Sequence, residues 1–278
     1  MKIVKHYYIP YDENTFAMLV ANDIKVEISK ADNVIGYEKM IFDIYHDPED
    51  LTLVNLIPNA PSCSWLYFSD EELCSADWLV MRPKSPKIDS RDESTLEYSC
   101  KIEKKSGNFV ERGAYHHKQV SPFSLSPIKW SANNHIYSAY DGDNFVFCDD
   151  FFRNLLESRF CGVSFLPVTW WKKNIDLPNA HQLQINNVLP QSALVIPPSV
   201  SKSHCPMCGR EKYEINSEFI LNVKKKYLNA SEDFYKTPEI FGTGRERSLW
   251  IVSNKVYVLL KSMKLTRGLI FEPVVLCD

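Results

Sequence analysis

No stretch of this sequence is apolar for long enough to cross a bilayer, and its opening, MKIVKHYYIPYDENTF, lacks the apolar core of a secretory leader. A cytoplasmic protein without a membrane partner is the expectation. Glycine is scarce, nine in 278 residues, and no segment is of low complexity, which excludes collagen-like and linker-like chains. The eight cysteines are scattered rather than framed, so a disulfide scaffold is excluded and buried thiols in a reducing compartment are expected. FGTGRERS, 241–248, has two glycines and two arginines but no lysine in the position of a phosphate loop, and reads as a turn before a strand.

Lysine and arginine are absent altogether from residues 43–77, where Asp43, Asp47, Glu49, Asp50, Asp70, Glu71, Glu72 and Asp77 fall. Residues 1–100 carry nine Lys and Arg against eighteen Asp and Glu, while the whole chain has 32 against 35, so the remainder is net basic. An acidic surface of this kind repels nucleic acid and steers a basic protein partner toward it. These eight carboxylates are therefore the candidate partner-binding residues, with two solvated acidic loops as the alternative.

What is present is the material of a globular protein: 45% hydrophobic and 24% charged residues. The first third is rich in β-prone segments, among them KHYYI and ANDIKVEIS, and WLYFSDEELCSADWLVMRP reads as a mixed segment ending in a strand. The tract from Ser85 to Gly113 reads as hairpins or loops. The organisation expected is a β-rich acidic region over 1–140 and an α+β region over 141–278, or one continuous unit.

The second region contains an internal echo. FVFCDDFFRNLLES (145–158) followed by CGVSFLPV (161–168) lies over LWIVSNKVYVLLKS (249–262) followed by RGLIFEPV (267–274). Each copy opens with a β-prone segment and a candidate helix N-cap, Asp149 or Ser253. Phe151, Phe152, Leu155, Leu156 and Phe160, and in the other copy Val256, Leu259, Leu260 and Met263, follow a 3.6-residue period. Gly162 and Gly268 sit where a helix would stop in the left-handed conformation, and Pro167 or Pro273 would end the strand that follows. The fold class expected is α+β, with mixed sheets and two repeated strand–helix–strand units in the C-terminal half.

The compact chemical motif is CPMCGR, 205–210. Two thiolates projecting from one tight turn, with Gly209 freeing backbone amides to face sulfur, suit zinc, and Cys205 and Cys208 are the candidate metal ligands; free thiols in a turn are the alternative. No second CxxC exists to complete four thiolates. An enzyme would draw on His116 or His117 as base and on Asp141, Asp143, Asp149 or Asp150 as carboxylates, none of them in a recognisable catalytic signature. Trp170 and Trp171, just after the first copy, are candidates for an exposed contact, with one of them in the core.

The order NFVFCDDFFRNLLESRFCGVSFLPV, a polar stretch, CPMCGR, and then NASEDFYKTPEIFGTGRERSLWIVSNKVYVLLKSMKLTRGLIFEPV resembles the double-CxxCG motif proteins, a bacterial family of immunity proteins associated with contact-dependent or polymorphic toxins. The resemblance covers about 140–278, and the family's first CxxCG is missing here. It implies a protein that binds and neutralises a cognate toxin protein without catalysis of its own, and a zinc site of which Cys205 and Cys208 would be part. A cytosolic enzyme of unknown reaction is the alternative.

Overall fold

The computed structural model describes residues 2–8, 13–21, 26–30, 40–44, 62–84, 86–88, 96–106, 109–131, 134–139, 142–204, 209–215, 219–242 and 247–278. Backbone contacts divide the chain into two compact units, residues 1–69 with 216–219, and residues 70–215 with 220–278. No helix among the described residues is long and apolar enough to cross a membrane.

In the first unit, strand β1 (Lys2–Tyr8) leads to helix α1 (Glu13–Ala21) and then to β2 (Val26–Lys30), β3 (Met40–Ile44) and β4 (Ser62–Tyr67). The strands form an antiparallel sheet in the order β2-β3-β1-β4. Lys5–Tyr8 of KHYYI and the end of ANDIKVEIS are strands as expected, with Ile9 outside the described residues, whereas α1 is a helix in a region read as strands and turns.

The second unit opens with helix α2 (Asp70–Ser75), then β5 (Trp78–Pro83), β6 (Pro86–Ile88), the long hairpin of β7 (Leu96–Ser106) and β8 (Phe109–Gln119), and β9 (Ser124–Leu125). Next come β10 (Ile136–Ala139), β11 (Gly142–Cys148), helix α3 (Asp150–Arg159), β12 (Val163–Trp170) and β13 (Ile175–Ile185). The chain continues through β14 (Ser201–His204), β15 (Glu211–Glu214), β16 (Asn222–Lys224) and β17 (Phe234–Lys236). It closes with β18 (Trp250–Ser253), helix α4 (Asn254–Ser262), β19 (Leu269–Pro273) and β20 (Val275–Cys277). The class is α+β with mixed sheets.

Two sheets organise this unit, one in the order β6-β10-β11-β13-β12-β9 and one in the order β17-β18-β5-β19. β11 and β12 are each antiparallel to β13, so they run parallel to each other with β13 between them. β18 and β19 are each antiparallel to β5, so they too are parallel with one strand inserted. Both segments singled out in the sequence thus run strand, helix, parallel strand around one antiparallel strand. The inserted strands differ in origin: β13 follows its unit by a hairpin, whereas β5 comes from about 170 residues upstream of β18. β5 and β10 are strands of these two sheets, so residues on both sides of 140 belong to one unit, and backbone contacts divide the chain after Ser69.

Alternation explains why the six-stranded sheet can be apolar on both faces. Val146, Cys148, Leu183 and Ile185 face one core, shared with Phe152 and Leu156 of α3, Val256, Tyr257 and Leu260 of α4, and Leu79 and Met81 of β5. Phe145, Phe147, Tyr137, Leu177 and Ala180 face a second core with Phe123, Leu125 and Val168. The first of these cores therefore unites the two helices.

Several local expectations are corrected. Asp149 caps α3, its Oδ1 accepting from the Phe152 amide at 2.9 Å, but Ser253, at the N-cap of α4, makes no side-chain cap bond and gives its hydroxyl to Asp233 Oδ1 at 2.7 Å. Gly162 has φ +90, as a left-handed position requires, whereas at the other helix end the left-handed residue is Lys264, φ 59. Gly268 is needed for space: a Cβ there would collide with Asn134 Oδ1 and lie 3.1 Å from the Ile136 carbonyl oxygen. β19 does end at Pro273, but β12 runs on past Pro167 to Trp170, with a register shift between Pro167 and Thr169. β12 has no neighbour on its other side among the described residues until β9 joins at Thr169, so the missing proline N–H interrupts no ladder there.

Candidate partner-binding surface

α2 begins with Asp70, Glu71 and Glu72, three acids where the free amides of a helix start favour negative charge. With six residues and none of them buried, the helix has little stability of its own. It is held by α4. Asn254 donates through Nδ2 to the carbonyls of Leu73, at 3.0 Å, and Ala76, at 2.7 Å, and its backbone amide donates to the Asp77 carbonyl at 2.9 Å. Tyr257 and Lys261 lie on the same face of α4, three and seven positions on. The Tyr257 hydroxyl donates to Asp70 Oδ1 at 3.4 Å and Lys261 Nζ stands 3.1 Å from Asp70 Oδ2. The Lys261 ammonium is raised above its usual pKa chiefly by its hydrogen bond to Asp70, and burial raises the Tyr257 phenol.

The acidic turn therefore has a counter-ion that its local sequence lacks, supplied from about 190 residues away. Asp70 nevertheless keeps a side chain 75% exposed, and Glu71 and Asp77 are exposed. Asp43 lies in β3 of the first unit, its Cα opposite those of His6 and Glu27. Asp47, Glu49 and Asp50 lie outside the described residues, as do Cys205 and Cys208. Within the second unit, Asp70, Glu71, Glu72 and Asp77 share α2 and the turn after it.

β14 and β15 pair antiparallel from Ser201 opposite Glu214 to His204 opposite Glu211, and Cys205 and Cys208 fall between them in the sequence. Gly209 has φ +70 and open space around it, a conformation that glycine adopts without a Cβ clash. His204 Nε2 lies 3.1 Å from Glu211 Oε1, which commits that ring to a carboxylate. Among the described residues no three His, Cys, Asp or Glu side chains gather as metal ligands.

The start of α3 holds two histidine–aspartate contacts, neither of them anticipated. His135 Nδ1 is 2.7 Å from Asp149 Oδ2, and His181 Nε2 is 2.6 Å from Asp150 Oδ1. Cys148, whose Cα faces that of His181 across the strands, is fully buried. Burial, reinforced by Asp149, raises its thiol well above the ordinary value. The thiol is thus kept protonated, unsuited to nucleophilic attack. His116 and His117 are consecutive residues of β8, and Asp143 lies in β11. Asp141 is outside the described residues.

No protein-family model, curated protein or solved structure matches this chain.

Two further sequence candidates have defined places. Trp170 packs against the second core while Trp171 is 41% exposed. The basic run at 223–228 begins in strand β16 and continues into a short 3-10 turn, Lys225–Tyr227.

Proposed function

We propose that this protein is an inhibitor by binding: an immunity protein that occludes a cognate bacterial toxin, with no chemistry of its own and with a basic surface of the toxin as the thing recognised. The observation that supports this most directly is α2, where exposed Asp70 is held by Tyr257 and Lys261 and the end of the helix is anchored by Asn254. A positioned charge gives up less side-chain freedom on binding than a mobile one, and like-signed carboxylates on one turn steer a cationic partner. The order of motifs over about 140–278 and the acidic first third lend support from the sequence.

The test is to co-express the chain with the product of the adjacent gene. Rescue of growth together with co-purification of a stable complex is the expected outcome. Rescue without a complex, accompanied by a modified target, would favour an enzyme, and an absence of rescue would remove the proposal for that pair.

A further inference from the structure

Strand β12 leaves part of one edge open. The Asn186 amide donates to the Gly162 carbonyl at 3.0 Å and Val163 stands opposite Ile185 in an antiparallel register, so Ser164 and Leu166 turn their amides and carbonyls toward β13. Val163, Phe165 and Pro167 turn theirs the other way. Beyond both ends that side is occupied: the Cys161 amide and carbonyl bond Asp233, and the Thr169 amide donates to the Phe123 carbonyl where β9 joins. Over 163–167 nothing among the described residues pairs with it. Val163 and Phe165 thus offer a donor and an acceptor each, and Pro167 an acceptor alone.

An open edge is a template for another strand, and proteins guard such edges with charge, proline or a bulge. β12, VSFLPVTW, carries no charge, and its proline and its register shift both lie after Leu166. The stretch before them is bare. It is also apolar on both sides of the sheet: Val163 and Phe165 pack on the first core yet are only partly buried, and Leu166, facing the other way, is 38% exposed. A second copy of β12 fits this edge poorly. In every antiparallel register of two such edges, either Pro167 or the Asp233 loop at Cys161 meets the opposing strand where a bond is needed.

We propose that β12 receives a short extended segment of another polypeptide, apolar at alternate positions, which pairs with Val163 and Phe165 and lays its apolar side chains beside theirs. Main-chain bonds supply the attraction and the alternation selects the sequence. The segment is no longer than the gap, since Asp233 closes one end and Phe123 the other. The inference concerns β12 and not α2, so it and toxin neutralisation can each fail without the other.

Amide hydrogen exchange and titration of the full chain with the capped peptide acetyl-Lys-Val-Thr-Val-Thr-Lys-amide, both followed by NMR, test it. In the free chain the amides of Val163 and Phe165 should exchange faster than those of Ser164 and Leu166, and millimolar peptide should slow them. Methylating both valine nitrogens of the peptide, whose N–H groups would face β12, should weaken binding about ten-fold or more. Methylating both threonine nitrogens, which would face away, should weaken it far less. Val163→Pro removes an amide that bonds nothing within the sheet, so the variant should fold and bind the peptide about ten-fold less well. Should it fail to fold, the two methylated peptides on the wild-type chain still decide. Slow exchange of Val163 and Phe165 in the free monomer, no binding of the peptide, equal loss from either methylation, or a dimer that protects these amides without peptide overturns the proposal.

Discussion

Replacing Asp233 by alanine should be among the most damaging single changes in the second unit. Its side chain is only 9% exposed and sits between the two strand–helix–strand segments. Oδ1 accepts from the Ser253 hydroxyl at 2.7 Å in a buried setting, and Oδ2 accepts from the Cys161 amide at 3.2 Å. Cys161 lies just beyond α3, and Ser253 just before α4. Lys255 Nζ, at 3.9 Å and largely exposed, adds little. A hydrogen bond to a buried charged group contributes about 1.5–3 kcal/mol, and the longer amide bond about 1 kcal/mol, so Asp233→Ala should cost about 3 kcal/mol. Urea unfolding followed by tryptophan fluorescence would read this through buried Trp250 on the neighbouring strand. Coupling gives a sharper test. Ser253→Ala should be costly in the wild-type chain and close to neutral once Asp233 is gone, because the two share one bond. A loss below about 0.5 kcal/mol for Asp233→Ala, or full additivity of the pair, would refute a stabilising role for this carboxylate.

Gly268→Ala should destabilise by about 1–3 kcal/mol through the clash with Asn134, and the loss should shrink in an Asn134→Ala background; equal losses in both backgrounds would locate the strain elsewhere. The carboxyl of Glu239 is held protonated more firmly in the folded chain than in the unfolded one, so its contribution to stability is full below the unfolded pKa and is lost as pH rises through the folded one. Glu239→Gln should accordingly be more stable than wild type near pH 7 and match it below about pH 4 in thermal melts. Combined Asp70→Asn, Glu71→Gln and Glu72→Gln should slow association with the toxin several-fold and flatten its salt dependence, as stopped-flow mixing would measure; unchanged kinetics would return the contact surface to another part of the chain. A zinc ion held by Cys205 and Cys208 would be lost in Cys205→Ser, and a wild-type content under about 0.2 zinc per chain after metal-replete expression would count against a structural site.

Local pattern carried the secondary structure of the C-terminal segments well. Phe152 and Leu156 of α3, and Val256 and Leu260 of α4, are buried at the positions their period implies, whereas Phe151 and Met263, named in the same periods, are exposed. Their partners could not be read, because pairing is decided by chain segments far away. Nothing in WLVMRP says that it will lie between β18 and β19. Tyr257, buried at an amphipathic position, escaped notice because its hydroxyl makes it look like a surface residue; its ring stacks edge-on with Phe271 while the hydroxyl reaches Asp70. The acidic turn was legible as charge, but its lysine was not. Ser253 shows the limit of cap signals: the sequence supports a hydroxyl at that place, while a buried acid 20 residues away takes its hydrogen bond. Glu239 carried no signal at all, since an isolated glutamate before a glycine turn reads as solvated.

The central place of β5 has a consequence for how the chain is made. During synthesis, residues 78–83 emerge early, yet neither of the strands that flank them exists until residues 250–273 have been added. Throughout that interval a β-prone segment, with Leu79 and Met81 destined for the core, has both hydrogen-bonding edges open. At about 5–20 residues per second the wait lasts on the order of ten seconds or longer, far beyond the time needed to form a hairpin. Nascent chains arrested between residues 90 and 240 should therefore be the species most in need of a chaperone, and a polar substitution on β5 should matter more for yield than for the stability of chains that have already folded.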